Sequence, residues 1–245
     1  MSEVTITRFI EFVESVKPGY ASTVMPGDPD DVEELEQLLG YALPPLYRAM
    51  LLRMGGSLGQ LRAFEAQDYS LELVLWAYRE PPWRLPDHFL LIGTDIEIGF
   101  GYFLDLRRPS GDDYEVVSFP RSPSEPKGET QGEWYYRQFR TLREKLFYSV
   151  LSRDLVRVMP HQGALHMDID TFENERRFGE ILSRLGIGAI PEISQGHAKG
   201  YLSEDLAVAE FRHLQGGWHA MLGSHDARRL AHVMEIFFDH GFHTS

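Results

Sequence analysis

Apolar residues recur at helical spacing over residues 5–17, where Phe9, Ile10, Val13 and Val16 share one side and Pro18-Gly19 stops the run. A second helix is predicted to open at Asp28-Pro29, an N-cap residue followed by proline at the first helical position. Its buried stripe is Val32, Leu35, Leu38 and Leu39, and Gly40 is placed to end it. A third begins near Pro44-Pro45, presents Leu43, Tyr47, Met50, Leu51 and Met54, and closes at Gly55-Gly56. Strands are predicted over Leu71–Tyr78, Phe89–Ile92, Gly101–Leu106 and Tyr114–Phe119, with Arg107–Asp113 as a hairpin loop between the last two. Residues Arg121–Gln131 read as an exposed loop. A long helix carrying Trp134, Tyr135, Phe139, Leu142, Leu146 and Val150 is then expected to complete a first domain spanning 1–155.

Residues 156–245 have a different texture and are expected to form a smaller β-α-β-β-β-α module. The predicted elements are a strand at Ala164–Ile169, a helix with Phe178, Ile181, Leu182 and Leu185 inward, and a short strand at Ala189–Ile193. A hairpin follows, Leu206–Leu214 with Trp218–Leu222, turning at Gln215-Gly216-Gly217. Asp170 with Glu173 suits a capping box, and Ser224 is placed to cap a last helix facing Leu230, Val233, Met234, Phe237 and Phe238 inward. The fold class is therefore mixed α/β, of the α+β type.

Charge narrows the partners. The net charge is -13, from 37 acidic and 24 basic residues, a field that repels phosphates and attracts basic proteins. No cysteine is present, so disulfides and thiolate chemistry are excluded, in keeping with a cytoplasmic protein. No apolar run reaches bilayer-spanning length. Glu3, Glu11 and Glu14 stand where a secretory signal would be basic and then apolar, so export by that route is not expected.

Four chemical readings compete with simple binding. Gly99-Phe100-Gly101 is followed by a strand where a phosphate loop needs a helix N-terminus, lacks the third glycine, and reads as a turn. His166, Asp168 and Asp170 alternate along one predicted strand, as metal ligands or as a wet face would, in a region rich in histidine. Ser224-His225-Asp226 is contiguous, whereas catalytic triads converge from distant positions. Arg137, Arg140, Arg143 and Lys145 would line the outer side of the long helix, more naturally as its solvated face than as a nucleic-acid site. No cofactor, metal or nucleic acid is expected.

The stretch Leu43-Pro44-Pro45-Leu46-Tyr47-Arg48-Ala49-Met50-Leu51-Leu52-Arg53-Met54-Gly55-Gly56 resembles the hallmark of the SUKH superfamily: leucine-proline, a tyrosine three positions on, aliphatics and paired glycines. The preceding acidic helix has the family's character. A second block, Ile92-Gly93-Thr94-Asp95 through Gly99-Phe100-Gly101-Tyr102-Phe103-Leu104-Asp105-Leu106, looks like the family's strand-loop-strand, and Trp134–Leu151 like its closing aromatic helix. The resemblance covers about 28–155. It implies an antiparallel sheet with flanking helices and no catalytic residues. It also implies a protein-binding role: many bacterial relatives neutralise a cognate toxin, and fungal ones are linked to cell-wall assembly. Pro44, Tyr47 and Met50 would hold the fold, with Gly55-Gly56 supplying positive φ at the helix exit.

An immunity-type binder of a basic toxin domain is thus the leading expectation. Two acidic surfaces are candidates: Asp28, Asp30, Asp31, Glu33, Glu34 and Glu36 on the second helix, and Asp95, Glu97, Asp112, Asp113 and Glu115 on loops and strand ends. The acids of the first set equally suit compensation of the helix dipole. A regulatory or scaffold protein of the same fold, and a metal-dependent enzyme with a site in the histidine-rich part, are the alternatives.

Overall fold

The computed structural model describes residues 2–80, 88–95, 97, 99–120, 135–167, 172–194, 196–213 and 217–244. Two compact units emerge, Met1–Arg143 and Glu144–Ser245. No described helix is long and apolar enough to cross a membrane.

The first unit opens with α1 (Ser2–Val16), which buries Ile6, Phe9 and Val13. Helix α2 (Pro29–Leu39) starts as its sequence dictates: the Asp28 carboxylate accepts the Asp30 N–H at 2.9 Å, and Gly40 ends it at φ 75°. Helix α3 (Pro45–Met54) buries Tyr47, Met50 and Leu51. Its glycine exit works differently from the expectation. Gly55 has φ −73° and Gly56 is not among the positive-φ residues. What the pair permits is close approach: the Gly56 N–H bonds to the Met25 carbonyl at 3.0 Å, and a Cβ on Gly56 would stand 2.6 Å from the Pro26 carbonyl oxygen.

A short strand β1 (Gln67–Asp68) precedes the first large correction. Leu71–Tyr78, predicted as a strand, lies in helix α4 (Leu71–Arg79). Ser70 accepts the Leu73 N–H, and Leu71, Val74 and Leu75 repeat at i, i+3, i+4 on the buried side. The alternation of Leu71, Leu73 and Leu75 mimicked a strand in a segment whose capping residue decided for helix.

Strands β2 (Phe89–Asp95), β3 (Phe100–Ser110), β4 (Asp113–Pro120) and β5 (Tyr136–Phe139) follow, and the sheet order is β1-β2-β3-β4-β5, all antiparallel. Ala77 of α4 packs on Leu91, Phe103 and Val117 of the sheet. Most of the predicted Arg107–Asp113 loop lies within the strands, with Pro109, Ser110 and Asp113 in the ladder. Ser110 pairs with Asp113 around a two-residue turn with Gly111 at φ 68°, and a bulge between Asp105 and Pro109 absorbs the extra residues.

The long helix expected from Trp134 is shorter. Trp134 lies outside the described residues, Tyr136–Phe139 pair with β4, and α5 spans only Leu142–Val150. The helix starts where its N–H groups find an acceptor. The Asp113 carboxylate takes the Leu142 and Arg143 N–H groups at 3.1 and 2.9 Å. The helix therefore opens at the division between the two compact units.

In the second unit a π-turn, Leu151–Leu155, continues α5. The elements after it are β6 (His161–His166), α6 (Phe172–Arg184), β7 (Gly188–Ala189), β8 (Ala198–Leu202), β9 (Leu206–Arg212), β10 (Trp218–Ser224) and α7 (Ala227–Asp239), with sheet order β6-β10-β9-β8-β7. Strand β8 was missed because its glycine and lysine break the apolar alternation, and Pro191 turns the predicted Ala189–Ile193 strand into a 3-10 turn. The proposed Asp170 cap and the Gln215-Gly216 turn fall outside the described residues. Asp226, not Ser224, caps α7, accepting the Arg228 N–H at 2.8 Å. Ser224 is fully buried and donates its hydroxyl to the Asp205 carbonyl at 2.7 Å. Phe238 points outward, 44% exposed, and Phe242 takes the expected place in the core, its ring 5.5 Å from Phe178.

Candidate protein-interaction surface

Helices α2 and α4 pack together in the first unit, and their outer side carries an unusual set of side chains. Arg79 of α4 donates Nε to Glu34 Oε1 at 2.6 Å and a second bond to Oε2, a bidentate pair. This bond holds the Glu34 carboxyl below its usual pKa. Leu38 lies one turn further along α2 and Trp76 one turn back along α4, so both flank the ion pair. They are 46% and 45% exposed, and Tyr41, just past α2, is 42% exposed. Leu38 is thus a correction to the predicted buried stripe, which consists of Val32 and Leu35. Large apolar groups held in water around one ion pair are what a docking surface needs.

Of the six acids predicted on this helix, Asp28 is occupied as a cap and Glu34 by Arg79. Glu36 accepts the Leu43 N–H at 2.9 Å and lies 3.4 Å from Arg48. Asp30 and Glu33 are exposed and Asp31 half-buried, and Asp31 adds to the field at Arg79. These three remain to face a partner.

The second acidic set is mostly internal. Asp95 is buried and accepts the Glu97 N–H, leaving Glu97 as the exposed member. Asp112 pairs with Arg143 at 3.2 Å and accepts the Ser2 hydroxyl at 3.1 Å. Glu115 is buried beneath the Arg137 guanidinium, which binds both its oxygens, with Arg108 at 3.7 Å. Asp113 is 1% exposed; burial pushes its carboxyl up to about 6 against the pull of three backbone N–H groups and Arg143. Burial and prior engagement remove Asp95, Asp113 and Glu115 from any partner's reach.

The predicted basic stripe does not form. Arg137 sits on β5 against Glu115, Arg143 is engaged by Asp112, and Lys145 is buried. Gly99 occupies a positive-φ turn whose N–H bonds to the Asp95 carbonyl, followed by a strand.

The second unit holds two polar groupings. Glu210 is buried and accepts from the Tyr201 hydroxyl (2.9 Å), Trp218 Nε1 (2.9 Å) and Lys199 Nζ (3.2 Å). Lys199 also donates to Glu175 of α6 at 2.9 Å, and Arg212 lies 2.9 Å from the other oxygen of Glu175. Two carboxylates and two cations balance, pinning α6 to the sheet. On the sheet's opposite face His219 stands across from His166, and His213 Nε2 lies 3.2 Å from His219 Nδ1. Burial first, then His213, His166 and Arg157, pushes His219 down to about 4. The predicted partners Asp168 and Asp170 lie outside the described residues. Among the described residues no group of three or more histidine, aspartate or glutamate side chains is arranged to hold a metal.

Sequence reasoning found the acids but missed Leu38, Tyr41 and Trp76. Reading 71–78 as helix would have placed Trp76 opposite Val74 and Ala77, on the outer side. Comparison with known proteins adds one finding: residues 26–142 match the model of the SMI1 / KNR4 family (SUKH-1). No curated protein and no solved structure matches the chain.

Proposed function

With a SUKH-1 domain at residues 26–142 as the premise, we propose that this protein is a non-catalytic binding module of the immunity type, neutralising a cognate bacterial toxin by direct contact. The observation that carries the reading is the α2–α4 surface: Leu38 and Trp76 exposed one turn from the Glu34–Arg79 pair, Tyr41 exposed just past α2, and Asp30, Asp31 and Glu33 on the same helix as Glu34. Tryptophan and tyrosine are the side chains that most often supply binding energy at interfaces, because each buries a large rigid surface at little entropic cost. The acids would steer a basic toxin domain into register and raise its encounter rate. Occupying a basic substrate groove on the toxin would then block it without chemistry.

The test is calorimetric titration of the full chain with the product of an adjacent reading frame, alongside an assay of that product's toxicity. A one-to-one complex that abolishes toxicity is expected. Trp76→Ala should weaken it by about 30-fold, or ~2 kcal/mol. A complex indifferent to both Trp76→Ala and Leu38→Ala would remove this surface, and no complex would remove the immunity reading.

A further inference from the structure

The histidine row of the second unit lies outside the proposed interaction surface. We propose that His213 and His219 form a two-imidazole clasp for a borderline divalent transition-metal ion of the Zn²⁺, Ni²⁺ or Cu²⁺ class. His213 follows β9 and His219 lies in β10, so the clasp closes across the mouth of one hairpin.

The geometry discriminates between two uses of this pair. The nitrogens are 3.2 Å apart and the ring centroids 5.1 Å apart. A straight N–H···N hydrogen bond of that length would set the ring centres ~5.4 Å apart, since each nitrogen lies ~1.1 Å from its own centre. Two imidazoles bound at ~2.05 Å to one tetrahedral ion have nitrogens ~3.3 Å apart and centres ~5.2 Å apart. The observed separations, 3.2 Å between nitrogens and 5.1 Å between ring centres, match the second arrangement to about 0.1 Å. Nitrogen donors of this kind favour the late first-row ions over Mg²⁺ or Ca²⁺.

The surroundings set the strength. His166 lies next in the row, its ring 6.3 Å from His219, and is held in place by backbone bonds to His243 at 2.7 and 3.0 Å. Arg157, whose guanidinium approaches Met221 at 3.9 Å, adds a like charge that opposes a cation at His219. With two protein donors, the remaining coordination positions are open to water. Binding is thus expected to be modest and exchangeable, unlike a closed structural site.

The experiment uses the full chain without a histidine tag, titrated with Ni²⁺ and followed by imidazole NMR and calorimetry, with circular dichroism to confirm folding of each variant. Saturable one-to-one binding is expected, with the His213 and His219 resonances broadening first. His213→Ala, at an exposed position, should weaken binding at least tenfold, and Arg157→Gln should tighten it. Should His219→Ala fail to fold, His213→Gln provides the second variant. An absence of saturable binding, or an affinity that His213→Ala leaves unchanged, overturns the clasp and leaves the immunity reading untouched.

Discussion

The two units use charge in opposite ways. In the first, carboxylates lie inside and their arginine partners stay wet: Asp105 and Glu115 are buried, while Arg107, Arg108 and Arg137 are about 40–50% exposed. In the second, both members of the central Lys199–Glu210 pair are withdrawn from water, with side-chain exposures of 16% and 1%. Half-wet pairs keep much of their hydration and contribute little individually. A withdrawn pair has lost its hydration, so removing one partner strands the other. In the first unit the acids open to a partner are instead Asp30, Asp31 and Glu33 on α2, whereas Glu175 and Glu210 of the second are committed to holding α6 on its sheet.

The strongest way to break this contrast is Glu210→Ala. It leaves the Trp218 N–H and Tyr201 hydroxyl without their acceptor and Lys199 with one carboxylate, and should cost about 3–5 kcal/mol in urea denaturation. Phe242→Ala should cost a similar ~3–5 kcal/mol by opening a cavity beside Phe178, whereas Phe238→Ala should stay within ~0.5 kcal/mol. Equal losses for the two phenylalanines would refute the placement of the last helix.

A pH titration sharpens the comparison from the other unit. Asp113 titrates at about 6 in the folded chain against 3.8 as a free carboxyl, so the folded state binds the proton first. Its contribution is fully present below the unfolded value and is lost as pH rises through 6. Relative to Asp113→Asn, the wild type should therefore gain on the order of 2–3 kcal/mol between pH 7 and pH 4. A pH-independent difference would show that the N–H donors and Arg143 hold Asp113 ionised throughout. The triple reversal Asp30→Lys, Asp31→Lys and Glu33→Lys should also change stability little, by no more than about 1 kcal/mol. The same reversal should slow association with the toxin partner proposed above about tenfold and flatten its dependence on salt in stopped-flow measurements.

Much of the architecture was readable because its signals are local. Asp28-Pro29 and Gly40 bracket α2 through side-chain and φ requirements that need no tertiary partner. Short apolar runs bounded by turn residues revealed β3, β4 and β9, each buried along much of its length. The failures arose where a distant group decided the outcome. Leu142 begins a helix because Asp113 waits for its N–H, and Tyr136–Phe139 is extended because Glu115 and β4 receive it. At the candidate site, charge composition exposed the acids but could not separate Glu115, buried under Arg137, from Asp30, which faces water. Leu38 looked like core because helical periodicity places it beside Leu35, and only the packing of α4 shows where that stripe ends.

The two-residue turn between β3 and β4 also acts as a check on alignment. Asp112 tethers the hydroxyl of Ser2 and the guanidinium of Arg143, and Asp113 receives the first amides of α5, so segments far apart along the chain converge on adjacent positions. Slipping the hairpin by one residue would swing both carboxylates to the wrong side and release all of these tethers together. Misaligned hairpins are thereby penalised in a single step, and one two-residue turn polices the pairing of segments far apart along the chain during folding.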